Sequence, residues 1–339
     1  MKRSAGEPAA ALLGAILLAC LLPGLDAAAN AANQETVWQG KTLPQWVEQL
    51  SGDTDRVRWY AAYALGQLGP DAAVAVDPLC KLLADRAQYE YVRGAAAWAL
   101  GRIGDGSPQV VDLLIAMLRS DHDSVRRNSA RALGNLGPAA RAAADPLAAM
   151  FNDKDGTARV EAALACWKLD RRPDARRALI EEVSRRDVGA ASYQAAIALQ
   201  YLGPDDPAAV AALVATLGHP DPDVRRVAAR SLGRIGPAVI PAMKDPLQGT
   251  ASEVRHSAAE ALGWVGPKAA PALVVVLKNE DPAVRRAAAR ALGRLGPDAK
   301  AAEAAEAALV EAVGDRDRQV QEAAAWALRK VRAAAGNPD

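Results

Sequence analysis

Apolar positions along this chain recur with the period of an α-helix, and the whole pattern repeats every thirty-odd residues. The clearest copy is Asp281-Pro-Ala-Val-Arg-Arg-Ala-Ala-Ala-Arg-Ala-Leu-Gly-Arg-Leu-Gly-Pro297, and a near twin runs from Asp221 to Pro237. Taking the Val of each Val-Arg pair as an anchor gives Val57, Val92, Val125, Val224, Val254 and Val284, with degenerate copies at Ala158, Ala191 and Val320. Successive anchors lie 30 to 36 residues apart, which makes nine units. A unit of this length cannot bury its apolar face alone, so neighbouring units must stack.

Each unit reads as two helices. The second opens on Asp, often followed by Pro, which is an N-cap with a first-turn proline. It closes at Gly-x-Leu-Gly-Pro, where glycine supplies a left-handed C-cap and proline forbids continuation. The first helix is the apolar run between, such as residues 110–118 or 272–277. On the second helix the anchor and the residues four, seven, eight and eleven further on share one face. The column eight residues on holds Leu65, Leu100, Leu133, Leu199, Leu232, Leu262, Leu292 and Leu328, with Cys166 in the fourth unit. Cys166 is therefore read as a small core residue and not as a nucleophile. The predicted fold class is all-α, an α-solenoid of about nine two-helix repeats spanning residues 33–335, with 336–339 a disordered tail.

Composition sharpens this. Phe151 is the one phenylalanine, and strand-favouring residues are sparse, which argues against a large sheet. The formal net charge is +1, so no global field draws nucleic acid or an anionic membrane. Cys80 and Cys166 fall in different units and are expected as free, buried thiols. His122, His219 and His256 are the only histidines, too few for a metal cage. No catalytic residue, metal or cofactor is assigned.

Residues 1–32 read as an export signal: Lys2 and Arg3, an apolar run from Ala9 to Leu22, then small residues around Ala27-Ala28-Ala29. The run is short for a membrane span, and no later segment is apolar enough, so no transmembrane span is expected in the mature chain. Leu17-Leu18-Ala19-Cys20 is similar to the lipobox of bacterial lipoproteins. Ordinary secretion, lipidation at Cys20 and an uncleaved anchor all stay open, and each places the body outside the cytoplasm, in the periplasm, cell envelope or extracellular space.

The Val-Arg-x-x-Ala-Ala-x-Ala-Leu-Gly-x-Leu-Gly pattern resembles the short HEAT repeats of phycobilisome lyase subunits, over roughly residues 36–333. The segment Gly40 to Leu50 after the leader also resembles the start of secreted bacterial HEAT proteins. The resemblance implies that arginines just after the anchors (Arg58, Arg93, Arg126, Arg159, Arg225, Arg255, Arg285) form a ladder with acids of neighbouring turns, and Asp53, Asp123, Asp155, Asp221 and Asp281 are candidate partners. It further implies that the second helices line a concave binding surface. Positions two and six after each anchor point away from the apolar stripe. They give a candidate partner-binding face of Trp59, Tyr63, Trp98, Arg127, Arg131, Tyr193, Arg226, Arg230, His256, Arg286, Arg290 and Trp326, with Val160, Leu164, Ile197, Glu260 and Glu322 among them. Arg234, Trp264 and Arg294 lie nearer the rim.

That face is aromatic at its N-terminal end, apolar in the middle and arginine-rich toward the C-terminus. Aromatics and arginine are the residues that anchor interfaces. The leading expectation is an extracytoplasmic scaffold that binds a protein partner, acts as a monomer and catalyses nothing. HEAT-type hydroxylases hold irons with His-Glu pairs, whereas here His122 precedes Asp123, His219 precedes Pro220 and His256 precedes Ser257. A lyase-like role would need tetrapyrrole attachment. A nucleic-acid role on the concave face, as in HEAT-type DNA glycosylases, is disfavoured by the near-zero charge and by export. The irregular turn at Cys166-Trp-Lys-Leu-Asp-Arg-Arg-Pro173 is either a hinge or simple drift of the repeat.

Overall fold

The computed structural model describes residues 37–185, 189–295 and 299–334. The expected export leader with Cys20 and the expected tail at 336–339 lie outside them. The described chain is all-α apart from one short hairpin, and it divides into two compact units at Asp105.

The first unit opens with β1 (Val37–Trp38) and β2 (Lys41–Thr42), paired antiparallel. Helices α1 (Leu43–Glu48), α2 (Asp55–Leu68), α3 (Val76–Ala84) and α4 (Glu90–Ile103) follow. The hairpin was not foreseen from the composition. It covers the open end of the first helix pair: Trp46 is buried on α1 and its indole N–H donates to the Trp38 carbonyl at 3.1 Å.

The second unit continues with α5 (Pro108–Met117), α6 (Asp123–Leu136), α7 (Ala144–Ala148), α8 (Gly156–Asp170), α9 (Pro173–Ser184), α10 (Ala190–Leu199) and α11 (Pro207–Thr216). After these come α12 (Pro222–Ile235), α13 (Lys244–Gln248), α14 (Ser252–Val265), α15 (Ala270–Val276), α16 (Pro282–Leu292), α17 (Ala299–Ala312) and α18 (Arg318–Ala334). Odd-numbered helices are the first of each pair and even-numbered helices the second, so the nine expected units are present as nine α-helical pairs among the described residues. The fold is an α-solenoid.

The predicted stripe is the core. The anchors Val92, Val125, Val224, Val284 and Val320 are fully buried, as is every member of the column eight residues on except the half-buried Leu328. Truncating one such leucine to alanine removes the transfer energy and leaves a cavity, costing about 2–5 kcal/mol. One apolar cluster runs from Val160 to Val331 without a break at the irregular fourth and fifth pairs. At that irregular turn Arg171 itself adopts the left-handed conformation (φ 52°) that Gly104 holds at the end of α4 (φ 84°). The turn is kept while its glycine has drifted away.

The two glycines of Gly-x-Leu-Gly do different work. The second is the C-cap, as expected. At Gly66, Gly134, Gly233 and Gly263 the first lies inside the helix, and its missing side chain lets the next second helix approach. A Cβ on Gly66 would meet the Trp98 ring at 2.3 Å, and one on Gly233 would meet Trp264 Cβ at 2.2 Å and its backbone carbon at 2.8 Å. Accordingly α2 packs directly on α4 in the first unit, and α12, α14, α16 and α18 pack in series in the second.

The arginine ladder sets the stacking register. Nη1 of Arg126, Arg225, Arg255 and Arg285 donates to carbonyls five and six residues back, clamping the turn between the two helices of its own repeat. The rest of the fork reaches the next repeat. Arg126 holds Asp153 at 2.7 and 2.8 Å, Arg159 holds Glu182 at 2.8 Å twice, and Arg285 holds Asp315 at 2.7 and 2.8 Å. Arg255 makes a single bond to Asp281 at 3.2 Å. Of the anticipated acids only Asp281 serves as a rung. Asp155 and Asp221 are instead occupied as N-caps of α8 and α12. These are not surface bridges, because the side chains of Arg126, Arg159 and Arg285 and of their carboxylate partners are at most 15 % exposed. Bidentate arginine–carboxylate pairs are among the stronger polar contacts, and here they are also largely desolvated.

Candidate functional site

The outward positions of the even-numbered helices carry the candidate residues, and the structure sorts them into three groups. In the first unit Trp59, Tyr63 and Trp98 form a stacked column. Trp59 and Tyr63 lie 5.7 Å apart at 13°, and Tyr63 and Trp98 lie 5.3 Å apart at 12°. The Arg102 guanidinium sits 6.0 Å over Trp98. Trp38 meets Tyr63 edge-on, Tyr60 is tilted on Trp59 and stacked on Tyr63, and Trp46 packs edge-on against Trp38 and Tyr60 behind them. Tyr63 and Trp98 are half-buried, and only the outermost ring, Trp59, is exposed, at 37 %. The aromatic faces are turned mainly on one another.

The middle group is also internally satisfied. Arg127 donates to the Thr157 hydroxyl at 2.8 Å, and Arg131 pairs with the buried carboxylate of Glu161. That carboxylate holds the Arg131 guanidinium charge even more firmly than usual, against the burial that opposes it. Both arginines therefore bridge α6 to α8. Val160 belongs to the core and not to the face, since it is buried against α8's neighbours. Tyr193 on α10 is exposed, while Ile197 leans into the core.

The third group is different. Arg230 on α12 and Arg294 after α16 both lie over the indole of Trp264 on α14, their guanidinium carbons 5.5 and 5.7 Å from the ring centroid. Trp264 nevertheless remains 48 % exposed. Arg226 pairs with Asp223 on its own helix, and Arg234 donates to Gln200 at 3.1 Å. His256 is half-buried with Nδ1 3.4 Å from the Ala283 carbonyl. Arg286, Arg290 and Arg294 line a groove of about 670 Å³ with Gln319, Glu322 and Trp326. Trp264, read from helical spacing as lying nearer the rim, thus sits between Arg230 and Arg294. The sequence signal for Trp264 and Arg294 was the column ten residues after each anchor.

Burial raises the thiols of Cys80 and Cys166 to about 11, and both are free. Among the described residues no group of three His, Cys, Asp or Glu side chains could hold a metal ion, and no helix is long and apolar enough to cross a membrane.

Comparison with known proteins agrees with this architecture. The profile for HEAT repeats matches residues 43–134, 177–263 and 247–329, and that for the PBS lyase HEAT-like repeat matches 125–153. No curated protein sequence matches the chain. Among solved structures, one describing Kap95p binding to RanGDP in nuclear import complex assembly is 14% identical, with a TM-score of 0.53, over 87% of this chain and 45% of that one. The chain thus spans less than half the length of that neighbour. Human deoxyhypusine hydroxylase in complex with glycerol is 22% identical over 86% of this chain and 96% of that one, with a TM-score of 0.35. With its ladder, its buried anchor column and profile matches over most of its length, the chain belongs to the family of HEAT-repeat proteins.

Proposed function

We propose that this chain is an exported, monomeric interaction scaffold, without catalytic activity of its own, that binds a protein partner along the face of its even-numbered helices. The observation that carries this is the third group: arginines and tryptophans collected on one face, with Trp264 about half in water. An exposed indole flanked by guanidinium groups is the composition of interface anchors. The non-catalytic reading is supported by the separation of the three histidines along the sequence and by thiols that burial keeps protonated. Export rests on the charge and apolar pattern of residues 1–32, with lipidation at Cys20 as the finer alternative.

The test is capture of partners by the full chain in its source cells, comparing wild type, Arg230→Glu on α12 and Lys278→Glu beside α15. Arg230→Glu is expected to lose specific partners and Lys278→Glu to keep them. If Arg230→Glu keeps every partner while remaining folded, the face has been assigned wrongly. Fusing residues 1–36 to a reporter active only outside the cytoplasm tests export, and an inactive fusion ends that part of the proposal.

A further inference from the structure

We infer that the groove between α16 and α18 accepts an acidic peptide segment bearing an aromatic side chain. This rests on the reading of the even-helix face as a protein-binding surface, and it specifies the chemistry that the face selects.

Arg286 and Arg290 stand at successive turns of α16 and Arg294 follows just past its C-terminal end, so that three like charges line one groove and repel. The ladder arginines relieve such charge with carboxylates, but these do not. Among the described residues Arg290 and Arg294 have no ion pair, and Arg286 meets only the neutral side-chain oxygen of Gln319. The carboxylate in the groove lining, Glu322, accepts a bond from Arg318 Nε at 3.0 Å. The groove therefore holds an excess of positive charge that an incoming carboxylate would offset, and guanidinium forks match carboxylates in two-point geometry.

Its apolar wall is Trp326. A Cβ on Gly293 would fall 2.4 Å from that ring, so the indole lies flush on the α16 backbone and its other surface is left for a ligand. A volume of about 670 Å³ accommodates a few side chains. A peptide fits better than a phosphate backbone. The Gln319 amide suits a peptide group, and the nearly neutral chain supplies no broad positive field for a phosphate backbone.

The experiment is fluorescence anisotropy on the full chain with four labelled probes. These are a ten-residue peptide of Glu and Asp around a central Phe, the same peptide with every acid changed to Lys, the acidic peptide with Phe changed to Ala, and a ten-nucleotide single strand. The first peptide is expected to bind, the lysine peptide not to, and the alanine peptide to bind about tenfold more weakly, a loss of about 1.4 kcal/mol. Arg290→Glu with Arg294→Glu should weaken the first peptide at least tenfold at an unchanged melting temperature. Trp326→Ala should erase the difference between the Phe and Ala peptides, and Trp326→Phe should restore it if the alanine variant packs poorly. No binding of the acidic peptide at millimolar concentration, equal binding by the double variant, or tighter binding of the oligonucleotide would each overturn the inference. If Arg230→Glu still abolishes partner capture in that event, the scaffold reading survives and only the acidic-peptide assignment falls.

Discussion

The aromatic column of the first unit and the arginine–tryptophan face of the second both occupy outward positions of second helices, yet they do opposite things. Trp59, Tyr63 and Trp98 stack on each other and on Arg102, so their surfaces are largely used in holding α2 to α4. Arg230, Trp264 and Arg294 also touch, but the ring stays half in water and the guanidinium groups keep most of their donors free for other partners. A column position alone does not make a binding residue. What decides is whether the neighbouring repeat supplies a partner that satisfies the side chain.

The largest effects should come from the core beneath both faces. Leu100→Ala and Leu262→Ala should each cost about 2–5 kcal/mol in urea unfolding, whichever unit they belong to. Removing Arg126 leaves the half-buried Asp153 carboxylate with only the Asp155 backbone N–H at 2.8 Å, and Arg126→Ala should cost about 1.5–3 kcal/mol. The first face should then separate from the second. Trp98→Ala should lower stability by about 2–3 kcal/mol, because a half-buried stacked ring is lost. Arg290→Glu should stay within about 0.5 kcal/mol of wild type.

The close-approach glycines sharpen the same contrast. Gly233→Ala places its Cβ against the backbone of α14, whereas Gly66→Ala meets mainly a ring. Overpacking costs about 1–3 kcal/mol, and Gly233→Ala should fall at the upper end and Gly66→Ala below it in thermal melts.

Acid should act through the ladder. Burial works to raise the Asp153 carboxyl, but the Arg126 fork outweighs it and holds the carboxyl below its ordinary range. Arg285 does the same for Asp315, and the Ser252 hydroxyl and Arg255 for Asp281. A depressed carboxyl contributes stability that is fully present above the unfolded value near 4 and is lost as pH falls through the lower folded value. The melting temperature should therefore hold between pH 7 and 5 and drop below about 4, and Asp153→Asn with Asp315→Asn should flatten that drop. The smallest expected change is at the drifted turn. Arg171→Gly relieves a left-handed residue worth about 1–2 kcal/mol but loses the guanidinium over Trp167 at 5.2 Å, so a net gain below about 1 kcal/mol is expected.

The repeat, its two helices and its buried columns were legible because each follows from spacing along a single helix. Contacts between repeats were not, because they depend on how far one repeat rotates against the next. The family resemblance placed Arg126 in a ladder, but the sequence could not tell that Asp153, two residues before the N-cap, is its partner while Asp155 is occupied at the helix end. The same rotation brings Glu161 under Arg131 and turns two face arginines into internal bridges. It also carries Trp264 from the rim to a place between Arg230 and Arg294. The hairpin at Val37–Thr42 was missed because four residues are too few to show strand alternation.

The most direct test of the contrast measures melting temperature and partner capture together for Trp98→Ala and Arg290→Glu. The first variant should melt several degrees lower. The second should melt like wild type and lose the partner. Capture that persists in folded Arg290→Glu, at a melting temperature equal to wild type, would contradict the assignment of the arginine face as the binding surface.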